Sequence, residues 1–179
     1  MELIPNIVGY HANDEQRCRQ FLNGETIISS SDVHFFGFGM YFWDNLSNAR
    51  YWAKEKRRKN SDSTISQWWI VRAHINTSDV LDLTDEQILD TVNKLWVQYC
   101  RLSKCNVNAP LGKKLDILFD YFECLSVYTI IKGNGRYDRI HRVEFLDGSY
   151  IVNNIKCMYC VKCRTVLLSR ALEEVANDE

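Results

Sequence analysis

Residues 34–59 read HFFGFGMYFWDNLSNARYWAKEKRRK. Six of the first ten are aromatic (Phe35, Phe36, Phe38, Tyr41, Phe42, Trp43), and Gly37 and Gly39 stand among them. Gly39 to Trp43 has the bulk of a strand. SNARYWAKEKRRK predicts a helix capped by Ser47, its basic end suiting the negative C-terminal dipole. Neither element asks for glycine. A residue without Cβ is useful where backbone bends sharply or another group comes close, so the pair of glycines marks the point from which the rest is read.

Working outward, NIVGYHA (6–12) predicts a short buried strand. NDEQRCRQFLNG follows as a helix, with Asn13 or Asp14 as N-cap, an apolar face of Cys18, Phe21 and Leu22, and Gly24 at its end. TIISSSDVHF reads as a loop, and SQWWIVRAHI as a central strand. SDVLDLTDEQILDTVNKLWVQYCRL carries a capping box, Thr84 with Gln87, ahead of a stripe of Ile88, Val92, Leu95 and Tyr99. LGKKLDILFDYF repeats the helical pattern through Leu115, Leu118, Phe119 and Phe122. Residues 127–131 predict a strand, KGNGRYDRIHRVEFLDGSYIVNN a long loop or hairpin, IKCMYCVKC a last strand, and TVLLSRALEEVANDE a terminal helix. With no repeat, linker or low-complexity tract, residues 1–179 are expected to form one α+β domain.

The totals agree with a globular chain. The 179 residues are 46% hydrophobic and 25% charged, with a formal net charge of -1, so any electrostatic preference has to be local. The basic run 50–59 is the candidate; it reads first as a solvated helix end, and otherwise as a grip on phosphate or a patch that steers a nucleic acid. MELIPNIVGYHAND lacks the charged start and apolar run of a signal peptide, and no segment reaches the roughly 20 apolar residues that span a bilayer. The expected setting is the cytoplasm, with the seven cysteines reduced. Cys157, Cys160 and Cys163 form C-x-x-C-x-x-C, but residues three apart on a strand face opposite ways, so no metal site is expected.

Tyr10-His11, then a helix, then Gly37-x-Gly39-x-Tyr41-Phe42, then Ala49-x-Tyr51 resembles, in order and along nearly the whole chain, the ADP-ribosyltransferases, in particular their His-Tyr-Glu branch with diphtheria toxin and the poly-ADP-ribose polymerases. The likeness is greatest to microbial members with G-x-G-x-Y-F-W and an A-x-x-W-A helix; VLDLTD recurs in bacterial relatives. The resemblance implies a split β-sandwich with peripheral helices and NAD as substrate. It implies that Tyr41 stacks on one face of the nicotinamide and Tyr51 closes the other, a cation held between aromatic faces. Gly39 would admit the dinucleotide. His11 would bond a hydroxyl of the adenosine ribose, and the backbone of Ala12, where relatives have glycine, would meet the nicotinamide amide. Ser47 or Asn48 stands where relatives hold that amide with serine.

The third residue of the signature is a glutamate that stabilises the oxocarbenium-like transition state as nicotinamide leaves. Alignment puts Met158 there, and a thioether cannot offset positive charge. Three alternatives stand. Glu144, in RVEFLDG, supplies the carboxylate; or an acidic acceptor assists transfer of single units; or the fold binds NAD or ADP-ribose without turnover. The implied function is mono-ADP-ribosylation of a macromolecule, protein or nucleic acid, by a glycosyltransferase-class enzyme. By analogy such a chain suits a toxin–antitoxin or phage-defence effector with an antitoxin protein as partner. The alternative is an inactive NAD- or ADP-ribose-binding module.

Overall fold

Trp68, Trp69, Ile70, Val71, Ala73 and Ile75 are all buried. The stretch 68–71, buried on both faces, belongs in a strand that has a neighbour on each edge and cover on each side, and it lies between two other strands. The computed structural model describes residues 5–25, 30–33, 35–59, 67–137 and 148–176. Its elements are β1 (Asn6–Asp14), α1 (Glu15–Leu22), β2 (Ser30–Asp32), β3 (Gly37–Trp43), α2 (Leu46–Lys59), β4 (Trp68–Asn76), β5 (Val80–Asp82), α3 (Glu86–Ser103), α4 (Leu111–Tyr121), β6 (Ile130–Arg136), β7 (Ile155–Val161) and β8 (Leu167–Ala176). The sheet order is β5-β6-β7-β3-β1-β4-β8, with β2 added against β3. Among the described residues only β5 and β6 run parallel; the other pairs are antiparallel. This is a mixed α+β fold on an open sheet.

Each face of the sheet carries a core. One gathers Ala12, Trp43, Ala49, Ala53, Ile70, Ile131, Met158 and Cys160 with residues of α3 and α4. The other gathers Cys18 and Phe21 of α1 with Met40, Phe42, Val71, Ile75, Ile130 and Val161. The helices thus pack outside the sheet, each through its apolar stripe. In α3 that stripe buries Val92, Trp96 and Cys100, with Ile88, Leu95 and Tyr99 packed beside them. A fully buried side chain of Val size or larger contributes about 1.5–3 kcal/mol.

Several local expectations are corrected. The chain end reads as a helix but forms β8, because β4 needs a hydrogen-bonding neighbour on its outer side, and residues 167–176 supply it from Ile75 to Trp68. Leu167, Leu168, Ala171, Leu172 and Val175 fit a helical spacing equally well, and tertiary pairing decides. The strand expected at 127–131 begins at Ile130 and runs on to Arg136, through residues read as loop. The reading of 30–32 as loop gives way to β2, and β7 is not the last strand. The cap of α3 is Asp85, whose carboxylate accepts from the backbone N–H groups of Gln87 and Ile88; Thr84 bonds back to Asp82 instead. Likewise Asn45, not Ser47, caps α2, its Oδ1 accepting from Asn48 N–H at 2.9 Å. For α1, Asp14 is the cap, accepting from Arg17 N–H.

Candidate functional site

The strands that carry the two strongest motifs hardly pair. β1 lies against β4 along its whole length, Asn6 to Asp14 opposite Asn76 to Trp68, whereas β1 and β3 meet at one residue pair, Tyr10 opposite Trp43. The sheet therefore has two well-laddered portions that part on either side of a single junction. On the side where β3 leaves the sheet lies a surface cleft of about 390 Å³, lined by Ile7, Val8, Tyr10, Asp44, Asn45, Leu46 and Tyr159.

On the other side His11 spans the gap. Its Nδ1 lies 2.7 Å from the backbone oxygen of Tyr41, and its Nε2 lies 3.1 Å from the side-chain nitrogen of Asn13. A carbonyl only accepts and an amide NH₂ only donates, so Nδ1 carries the proton and Nε2 presents its lone pair. Burial lowers the pKa of this imidazole from 6.5 to about 4, and Arg17 acts in the same direction, against the opposing pull of the Tyr41 carbonyl and Asp14. At neutral pH the ring is uncharged. It packs 5.8 Å from Phe42, on the face opposite Tyr41.

Tyr41 is tied to its own turn. Its hydroxyl donates to Gly37 O at 2.7 Å and accepts from Phe36 N–H at 3.0 Å, and its ring stacks on Phe36 with centroids 6.2 Å apart. The glycines answer to nearby protein groups. A Cβ on Gly37, where φ is +74°, would collide with the Asp116 carboxylate; one on Gly39 would collide with Cys160 Sγ and lie 2.9 Å from Val161 O. Asp116 uses the room to accept from Phe38 N–H at 2.7 Å. The close approach that excludes side chains here is thus made by α4 and β7.

Tyr51 belongs to a different aromatic group. Its ring meets Tyr137 edge-on at 5.9 Å, and Tyr137 meets Trp43 at 6.0 Å, so Tyr51 joins Trp43 through Tyr137, while Tyr41 stacks on Phe36. Over Tyr51 lies the ammonium of Lys156, 4.9 Å from the ring centroid and 6.0 Å from that of Tyr137. Lys156 is buried and donates to Asn48 Oδ1 at 2.5 Å; Asn48 in turn donates from Nδ2 to Asp44 Oδ1 at 2.7 Å. Burial lowers the pKa of Lys156, with Asp44 opposing. Of the two candidates for the amide contact, Asn48 is the buried one, and Ser47 is exposed, donating to Asn45.

Met158 is buried opposite Trp43 and Gly133, with its sulfur 3.9 Å from the Tyr137 hydroxyl. Ala12 is buried in the core under α2. Glu144 lies outside the described residues. Cys157 is half-buried and Cys160 buried, on opposite faces of β7, and all seven cysteines are free thiols; Cys100 and Cys105 place their sulfurs 2.9 Å apart. Among the described residues no group of three or more His, Cys, Asp or Glu is placed to hold a metal ion, and no helix is long and apolar enough to cross a membrane. The basic run ties α2 to its surroundings: Arg50 pairs with Glu174 at 2.6 Å, Arg57 donates to Ala176 O, Arg58 pairs with Glu55, and Lys56 covers Trp52.

Sequence reasoning missed Lys156 and Asp44. Lys156 sits two residues before Met158 on the same face of β7, a period-2 relation that was legible; its partners on α2 were not. Comparison of the chain with protein-family models and with curated proteins gives no match to either.

Proposed function

We propose that this chain binds the ADP-ribose unit at the β1–β3 junction, on the split β-sandwich plan of the ADP-ribosyltransferases, and does not turn NAD over. The observation that carries the reading is the His11 bridge. The strands bearing the histidine and tyrosine motifs part at one residue pair, and His11, held by Tyr41 O, keeps an accepting Nε2. A ribose hydroxyl is the donor such a nitrogen takes, in place of the Asn13 amide.

Turnover would need negative charge beside the ring from which nicotinamide departs. Met158 supplies none, and Lys156 on the same face adds positive charge, which in a partly desolvated site raises the barrier to an oxocarbenium ion. Titration calorimetry with ADP-ribose tests the binding. The folded wild-type protein is expected to bind it, and His11→Ala to weaken binding about tenfold, the worth of one hydrogen bond of about 1.4 kcal/mol. Incubation with NAD is expected to release no nicotinamide above the blank. A folded chain that ignores ADP-ribose sinks the reading.

A second reading, NAD-dependent mono-ADP-ribosyl transfer to a protein or nucleic acid, is favoured by Asp44, a carboxylate lining the junction cleft and fixed by Asn48. Labelled NAD in a cell extract separates the two: label in protease- or nuclease-sensitive material establishes transfer and replaces the binding reading. An antitoxin partner belongs to that second reading only.

A further inference from the structure

We infer that Cys100 and Cys105 form a dithiol site for hydrogen peroxide, in which oxidation joins the two sulfurs in a disulfide that pins the end of α3 to the loop leading into α4. The inference is independent of any ligand at the β1–β3 junction.

The end of α3 builds the pair. Lys104 closes that helix in the left-handed conformation, with φ at 52°, and among the described residues it is the only one besides glycine with a positive φ. A left-handed residue at a helix end folds the chain back, and the residue after it commonly packs on the helix five positions earlier. Apolar side chains usually make that contact. Here both positions are cysteine, and the sulfurs lie 2.9 Å apart, so closing a bond between them asks for little more than side-chain rotation. The surroundings hold the geometry. Trp96, one turn before Cys100, donates its indole N–H to Val107 O at 2.9 Å and ties the helix to the same loop. From α4 the Lys114 ammonium lies 5.5 Å from the centroid of the Trp96 ring.

Exposure assigns the parts. Cys105 is half-buried and Cys100 buried, so Cys105 meets the oxidant first. Its thiolate attacks one peroxide oxygen, the O–O bond breaks, the sulfur becomes a sulfenic acid, and the departing hydroxide takes up a proton as water. The Cys100 sulfur, already in contact, then attacks the sulfenic sulfur. The S–S bond forms, the S–O bond breaks, and the leaving hydroxide takes the Cys100 proton as a second water. Two thiols give up two electrons and two protons, and one hydrogen peroxide becomes two waters. A sulfenic acid with no thiol in reach stays open to further oxidation, so the partner decides the product.

The test treats the full folded chain with hydrogen peroxide, blocks the remaining thiols under denaturing conditions, and reads tryptic peptides by mass. Cleavage after Arg101 and Lys104 parts the two cysteines, so the disulfide shows as residues 95–101 joined to 105–113. That joined species is expected to form with the loss of two of the seven free thiols, and a thiol reductant is expected to restore them. Cys100→Ser is expected to abolish the joined peptide and let Cys105 run on to sulfinic acid at the same dose. Cys105→Ser is expected to leave Cys100 a thiol. The inference is overturned if Cys105 of the folded wild type ends as sulfinic acid beside a reduced Cys100. It is equally overturned if Cys105 survives as a thiol while the exposed Cys124 is oxidised, or if either sulfur is joined to another partner. Mapping the wild-type chain needs no variant, so a substitution that fails to fold does not rescue the proposal.

Discussion

At the scale of single residues, His11 makes the clearest demand on the fold. It is held neutral by burial between β1 and β3, with a pKa near 4 against 6.5 when free. The sign of the linkage follows. Between pH 6.5 and 4 the unfolded chain takes up a proton at this ring that the folded chain refuses. The stability it contributes is fully present above 6.5 and declines as the pH falls toward 4, by up to about 3 kcal/mol. Denaturant unfolding of wild type and His11→Gln across that window measures it. Gln cannot titrate, so the variant is expected to show a flatter dependence; parallel slopes would refute the buried neutral imidazole. Gly37 makes the second demand. Gly37→Ala places a methyl on the Asp116 carboxylate at a positive φ, and is expected to lower stability by about 2 kcal/mol or more through backbone strain and the displaced hydrogen bond to Phe38. Thermal unfolding reads the loss.

At the scale of elements, the start of α3 separates two neighbouring residues that look alike in sequence. Asp85 accepts from two backbone N–H groups of the first turn, while Thr84 serves the turn before it. Asp85→Ala is expected to cost about 1 kcal/mol, and Thr84→Ala distinctly less; equal losses in denaturant unfolding would restore the threonine as the cap. The helices were legible because 3.6-residue periodicity is a local property, and α1, α3 and α4 follow it closely; the caps were less so, since only that of α1 falls on a residue the sequence named. The strand β4 was legible because aromatic and β-branched residues crowd its first half, 68–71, which is buried on both faces. The failures share one cause. β8 and the greater part of β6 are strands by virtue of their neighbours, β4 and β7, and no pattern inside residues 132–136 or 167–176 excludes the alternatives. The same holds for the site. The glycines, the aromatics and His11 are visible in the chain, but that Gly37 makes room for Asp116, or that Lys156 lies over Tyr51, depends on which elements pack together.

At the scale of the whole molecule, hydrogen bonds and apolar packing divide the structure differently. By backbone pairing the sheet nearly separates at β1–β3, held by the Tyr10–Trp43 pair and the His11 bridge. By packing it does not separate, because both cores cross the junction. Ala12, Trp68 and Ile70 on one side share a core with Trp43, Ile131, Met158 and Cys160 on the other; on the opposite face Val71 and Ile75 do the same with Met40, Ile130 and Val161. Burying apolar surface outweighs the few missing ladder bonds, since a backbone bond contributes about 1 kcal/mol net and each large buried side chain about twice that. The two portions are therefore expected to unfold as one cooperative unit, with tryptophan fluorescence and far-ultraviolet circular dichroism giving coincident denaturant transitions. Hydrogen exchange gives the complementary reading. Backbone amides of β1 and β3 that face the junction are expected to exchange through local opening, well ahead of those in the β1–β4 and β6–β7 ladders. Two resolved unfolding transitions would mean that the cores do not bridge the junction, and the parting of β1 from β3 would then mark a boundary between two folding units instead of a cleft within one.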